Sequence, residues 1–256
     1  MNFVHTPYLT DIPALPLPHL ADSLRDFCRA VPEYRQRYLQ QNYGTAFDGY
    51  SFPGQKDSLN QGPEDHLHSF VFSDFYSLDR YPPEFHTFIH EHWSSLCHQV
   101  QAVEQRILTK LGLESIARQF TSNFGHMMSA NYYPGLKHTD TGKDAVRLSA
   151  HPDVSLLTVF PQGLGKDFQY QDVDGQWRDA PETDRLTLFA GDLLQWLTEG
   201  EIPALNHRVK HSDSSGERFS FALFSLPMPA ITLTSASGNT ITTEDWYRLH
   251  LSQWDD

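Results

Sequence analysis

From about residue 124 onward the chain is written in short runs of aromatic and β-branched residues, "SLLTVF", "DFQYQ", "RLTLF", "LLQWL", "HRVKH" and "RFSFALFSL", separated by turn-forming stretches such as "VDGQ", "LFAGD" and "DSSGE". Runs of this length and composition, broken by Gly, Asp and Ser, suit half-buried strands. Enough of them follow one another to close a sandwich or a jelly roll. The second half is therefore expected to be β.

The first 120 residues follow a different pattern. Helices are expected around "LADSLRDFCRAV" and "YRQRYLQQ", then a Gly- and Pro-bearing loop, "NYGTAFDGYSFPGQKDSLNQGPEDHLHSFVFSD". Beyond Pro82 and Pro83, apolar residues fall at Phe85, Phe88, Ile89, Trp93, Leu96, Cys97, Val100, Val103, Ile107, Leu108 and Leu111. That spacing predicts a scaffold helix of about seven turns, ending near Gly112. His86, His90 and His98 are scattered along it and are expected to be partly exposed and metal-free. A last helix is expected over "TTEDWYRLHLSQW", opened by a Thr-Thr-Glu-Asp cap. The organisation expected is one domain over 1–256, with a mostly helical part to 120, a β core over 121–230 and a C-terminal helical segment over 231–256.

Composition narrows the function. Against 32 acidic residues stand 19 basic ones, a formal charge of -13 with no basic run, which argues against a nucleic-acid partner. No stretch of about 18 apolar residues is present to span a bilayer. The N-terminal residues carry no basic flank and uninterrupted apolar run of a secretory leader, so cytoplasmic residence is expected. Cys28 and Cys97 are the two cysteines, with no Cys-x-x-Cys, and are expected to be core thiols. The expected partner is a small molecule, with no protein partner indicated.

The stretch "KHTDTGKDAVRLSAHPDVSLLTVF" holds His-x-Asp twice, His138 with Asp140 and His151 with Asp153. On an extended strand, residues two apart point to one side. A His and a carboxylate so placed, joined by a second His, can cover one face of an octahedral ferrous ion and leave the opposite face open. His138 and Asp140 sit in loop composition, between glycines and lysines. His151 and Asp153 lie between "AVRLSA" and "VSLLTVF", flanks able to bury a strand, and form the better pair. His207 in "ALNHRVKHSD" is favoured as third ligand over His211, which lies in a polar turn. In "RFSFALF", Arg218, Ser220, Ala222 and Phe224 share one strand face. An Arg there needs an anion, either a protein carboxylate or a ligand.

At this point the residues resemble the isopenicillin N synthase-like iron(II)- and 2-oxoglutarate-dependent dioxygenases. The order His151-x-Asp153, 53 intervening residues, His207, 10 intervening residues, Arg218-x-Ser220 is similar to that family's signature. So are "NYYP" at 131–134, "HPDVSLLTVF", "DVDGQW" and "AGDLLQWLTEG". Each motif alone is weak, but together and in order, over roughly 125–227, they are specific. The resemblance implies a mainly β chain with flanking helices, a double-stranded β-helix (jelly roll) backed by the long helix. It implies Fe(II) on His151, Asp153 and His207. It also implies 2-oxoglutarate held at its far carboxylate by Arg218, Ser220 and Tyr133, with Asn131 toward the metal, O2 as oxidant and ascorbate as an aid. The implied outcome is oxidation, most often hydroxylation, of a C–H bond in a small molecule. His138-x-Asp140 becomes a decoy, only 7 residues after Asn131 where the family pattern needs about 20.

Counting back by twos from His151 brings Ser149 and Arg147 to the pocket side. Arg147 either pairs with an acid of the protein or awaits an anionic group, which would make the substrate an amino acid or other carboxylate. Three other functions stay open: an isopenicillin N synthase-like oxidase that uses no 2-oxoglutarate, a zinc hydrolase, and a metal-free jelly-roll binding protein.

Overall fold

The computed structural model describes residues 3–43, 47–54, 65–135, 146–210 and 216–251. Its strands are β1 (Tyr8–Pro13), β2 (Gly49–Ser51), β3 (His68–Ser73), β4 (Phe124–Tyr133), β5 (Val146–His151), β6 (Leu157–Phe160), β7 (Phe168–Gln171), β8 (Trp177–Asp179), β9 (Arg185–Ala190), β10 (His207–Lys210), β11 (Arg218–Pro227), β12 (Thr232–Thr234) and β13 (Thr240–Thr242). Helices are α1 (Leu20–Arg29), α2 (Pro32–Arg35), α3 (Pro83–Phe88), α4 (Ser94–Lys110), α5 (Glu114–Asn123), α6 (Asp192–Leu197) and α7 (Thr243–Leu251).

The strands form a seven-stranded sheet, in the order β1-β9-β6-β11-β4-β3-β2, and a four-stranded sheet, β5-β10-β7-β8. Pairing within both is antiparallel. The two sheets enclose a cavity walled from both sides, by Asn131 and Ser220 of one and His207 and Val209 of the other. This is the jelly roll. Its axis is the long pairing of β4 with β11, in unbroken register from Arg218 opposite Tyr133 to Pro227 opposite Phe124.

The larger sheet needs a cover because its outer face carries Phe70, Phe72, Met128, Ala130 and Leu223, all buried in the main core. α3 and α4 supply it, with Phe85, Phe88, Leu96, Val100, Ile107 and Leu108 buried. Between them Ile89–Trp93 is wound as a π segment. One extra residue in a turn rotates the helix face, so that Trp93 on one side and Phe85 on the other both reach the core. α1 packs beside them through Phe27, whose ring meets Phe70 of β3 edge-on at 5.1 Å.

Three expectations are corrected. "LLQWL" is helix α6, since Leu193, Leu194 and Leu197 bury one helical face. The long loop contains β2 and β3, which extend the sheet beyond β4. "YRQRYLQQ" is the end of α2 with two short 3-10 turns, each too short to bury a face. No helix among the described residues is long and apolar enough to cross a membrane.

Candidate active site

β5 and β10 lie side by side with His151 opposite His207, so the two rings are cross-strand neighbours with centroids 4.5 Å apart. After His151 the chain leaves the strand through Pro152, and Asp153 turns back beneath both rings. That turn is clamped by the start of α6: Gly191 N donates to Leu156 O, Asp192 N to Asp153 O at 2.7 Å and Leu193 N to Ser155 O. A side chain at Gly191 would overlap the Ser155 carbonyl oxygen, which explains the glycine in "AGD".

Hydrogen bonds orient all three donors toward one point. His151 Nδ1 lies 2.7 Å from Ser149 O, and His207 Nδ1 lies 3.1 Å from Leu205 O. A carbonyl only accepts, so each Nδ1 carries the proton and each Nε2 keeps its lone pair. Those Nε2 atoms stand 3.5 and 3.9 Å from Asp153 Oδ1. Thr158 Oγ1 donates to the other carboxylate oxygen, Oδ2, at 2.6 Å, and is itself in contact with Ser155 Oγ. Phe168 stacks on the His207 ring at 5.1 Å and Phe189 lies at 4.9 Å. Burial, only partly offset by Asp153, pushes His207 down to about 4, leaving a neutral ring at physiological pH. Burial alone would raise Asp153, yet the two rings and the Thr158 hydrogen bond hold it below the usual carboxylate range.

Two imidazole nitrogens and one carboxylate oxygen, all within 4.8 Å of one another, fit a divalent first-row ion with positions left open. The donor set thus suits iron(II). The same cavity, about 110 Å³, reaches the β4–β11 pair. There Arg218 stands opposite Tyr133 and Ser220 opposite Asn131, so all four side chains share the inner face. Arg218 Nε donates to Lys166 O at 3.0 Å, and its guanidinium lies 4.6 Å from the Tyr133 ring centre. Its Nη1 is buried with no hydrogen-bond partner. The protein carboxylate that would explain Arg218 structurally is absent among the described residues. Ser129 Oγ donates to Asn131 Oδ1 at 2.9 Å, which holds the amide.

Arg147 is not where alternation places it. Between β5 and β10 the register slips: His207 faces His151, Val209 faces Leu148 and Lys210 faces Val146. Three steps on β5 match two on β10, a bulge that breaks the two-residue period. Leu148 therefore joins the cavity wall, while Arg147 and Ser149 do not. Arg147 is 1% exposed, and its Nε and Nη2 have no hydrogen-bond partner. Burial and then the nearby Arg218 charge push its pKa down. His138, Asp140 and His211 lie outside the described residues.

Sequence reasoning did not single out Thr158, Phe168 or Phe189, nor a second donor group, Asp74, Cys97 and His126. In that group His126 Nε2 lies 2.9 Å from Glu104 Oε2, the His126 backbone N–H and the Trp93 indole both donate to Asp74, and Ser225 Oγ donates to Glu104. It ties α4 to β4 and β11.

Residues 124–227 match the profile of the 2OG-Fe(II) oxygenase superfamily. Over that stretch the chain is similar to that superfamily. It is 25% identical over 221 residues to scopoletin 8-hydroxylase of Arabidopsis thaliana, covering 82% of this chain and 59% of that protein. To isopenicillin N synthase of Streptomyces microflavus it is 39% identical over 87 residues, 33% of this chain and 25% of the other. The crystal structure of a full-length Neurospora crassa protein in complex with alpha-KG superposes with a TM-score of 0.75 at 20% identity, over 94% of this chain and 84% of that one. The chain thus spans 59% of the length of the scopoletin hydroxylase.

Proposed function

We propose that the chain is a non-haem iron(II)- and 2-oxoglutarate-dependent oxygenase that hydroxylates a C–H bond of a small molecule. One observation carries the reading. In a single cavity, three donors turn unclaimed lone pairs to a common point, and at the β4–β11 end a buried guanidinium N–H has no protein partner. His151, Asp153 and His207 would hold iron. When bound, the ion activates oxygen with electrons from the decarboxylation of 2-oxoglutarate to succinate and carbon dioxide, and a C–H bond is hydroxylated in return.

The remaining work belongs to the protein. Arg218 meets the far carboxylate of 2-oxoglutarate and Ser220 and the Tyr133 hydroxyl donate to it, which satisfies the orphaned Nη1. Asn131, its oxygen held by Ser129, presents its amide nitrogen toward the keto acid end. Phe160, Phe168 and Phe224 keep water from the cavity wall. Arg147 belongs with Arg218 at the carboxylate end, as a second cation that strengthens the positive field there. That placement removes the argument for an amino acid or other carboxylate as prime substrate. Ascorbate would serve only to keep iron reduced. Both thiols are unpaired, in keeping with a reducing compartment such as the cytoplasm.

The names of the relatives support the reading, since they include hydroxylases and a 2-oxoglutarate-dependent dioxygenase, caaD of Aspergillus niger. The test is 2-oxoglutarate turnover. Purified protein with iron(II), ascorbate and oxygen is expected to release succinate from 2-oxoglutarate, slowly without a prime substrate. Oxygen consumption with no succinate would favour the oxidase alternative, and neither would overturn the reading.

A further inference from the structure

A second cavity of about 190 Å³ adjoins the first, and Phe47 and Met127 line both. Its other walls include Phe75, Tyr76, Pro227 and Tyr247. The apolar cluster here, centred on Met127, Val154 and Leu226, is separate from the main core. Its Val154 directly follows Asp153 in the chain. α7 is fastened to the same turn by Trp246, whose indole donates to Val154 O at 3.3 Å, and Tyr247 is fixed by its hydroxyl bond to Pro227 O at 3.1 Å. Phe47 meets Tyr247 edge-on at 5.6 Å. The chamber is thus built largely from aromatic rings and adjoins the cavity that holds His151, Asp153 and His207.

We infer that this chamber is the seat of the prime substrate, and that the substrate is a planar aromatic compound without a carboxylate. The inference rests on the oxygenase reading and adds the substrate class to it. Apolar cavities of about 150 Å³ accept a benzene ring, so the size is sufficient for a ring. The ring edges and faces of Phe47, Phe75 and Tyr247 favour an aromatic guest. Charge decides the rest. Asp48 and Glu244 line the chamber, and among the described residues of both cavities Arg218 is the single Lys or Arg. That cation belongs to the cosubstrate. A carboxylate on the ring would meet Glu244 and, among the described residues lining the chamber, no Lys, Arg or His, in a protein of net charge -13.

Equilibrium dialysis of the full chain against 2-naphthol and against 2-naphthoate, the same ring system with a carboxylate, tests this. Saturable binding of 2-naphthol is expected, with 2-naphthoate at least tenfold weaker. Tyr247→Ala should weaken 2-naphthol at least fivefold. Glu244→Gln, a conservative change that keeps an oxygen to accept from Ala230 N–H, should narrow the gap between the two probes. Equal or tighter binding of 2-naphthoate, or 2-naphthol binding indifferent to Tyr247→Ala, would overturn the inference. Succinate release is measured on the same preparation. Its absence with the probe selectivity intact would overturn the oxygenase reading and not the chamber's preference.

Discussion

The molecule contains two clusters of nearly the same residue types, and they are built in opposite ways. At His151, Asp153 and His207, protein hydrogen bonds claim the outward atoms and leave Nε2, Nε2 and Oδ1 turned toward one another. At Asp74, Cys97, His126 and Glu104, the protein claims the inward atoms too: His126 Nε2 is spent on Glu104, and both Asp74 oxygens are spent on Trp93 and on the His126 backbone. The first arrangement is costly unless a cation arrives. The second is complete without one. Proximity of ligand-type residues therefore says less about a metal than the lone pairs left over after the hydrogen bonds are counted.

Removing His126 should break the second cluster as a structural element. His126→Ala leaves Glu104 buried without a charged partner, its Ser225 hydrogen bond remaining, so unfolding free energy should drop by about 3–5 kcal/mol, read by denaturant titration, while metal stoichiometry in the folded fraction stays unchanged. At the other cluster the corresponding sensitivity is to ligands. Arg218→Ala should raise the KM for 2-oxoglutarate by a factor equivalent to about 2–5 kcal/mol, measured by succinate release. An unchanged KM would remove Arg218 from the cosubstrate site. Thr158→Val deletes the bond that holds Asp153 and should weaken iron(II) affinity about ten- to hundredfold, by competition with a chelator. Tyr133→Phe should cost about 0.5–1.5 kcal/mol of 2-oxoglutarate binding.

The smallest effect is on pH dependence. Burial lowers His126, but the Glu104 charge outweighs it and the folded pKa is raised. A raised histidine contributes stability that is fully present below its unfolded value, about 6.5, and lost as pH rises through the folded value. Unfolding free energy of the wild type should therefore decline on the alkaline side of about pH 6.5. In His126→Gln that part of the slope should vanish, and its persistence would place the titration elsewhere.

How much of this was legible in the sequence depends on the range of the forces involved. Alternation in "RFSFALF" placed Arg218 and Ser220 on the inner face because β4 and β11 pair without a bulge. The same rule failed at Arg147, since the β5–β10 bulge is a property of the pairing and not of either strand alone. "LLQWL" looked like a strand because a run so short displays too little of a helical period. β2 and β3 were hidden by neighbouring glycines and prolines that read as loop. The convergence of His151, Asp153 and His207 could be anticipated from spacing and flanks, whereas Thr158, Phe168 and Phe189 could not: nothing local marks a threonine that will meet a carboxylate or a phenylalanine that will stack on a histidine.

The difference between the two clusters is tested most directly by iron content. Wild type, His151→Ala and His126→Gln would be reconstituted anaerobically with iron(II), desalted, and assayed for metal per chain. One iron per chain is expected in the wild type and in His126→Gln, and essentially none in His151→Ala. Iron retained by His151→Ala and lost from His126→Gln would contradict the account.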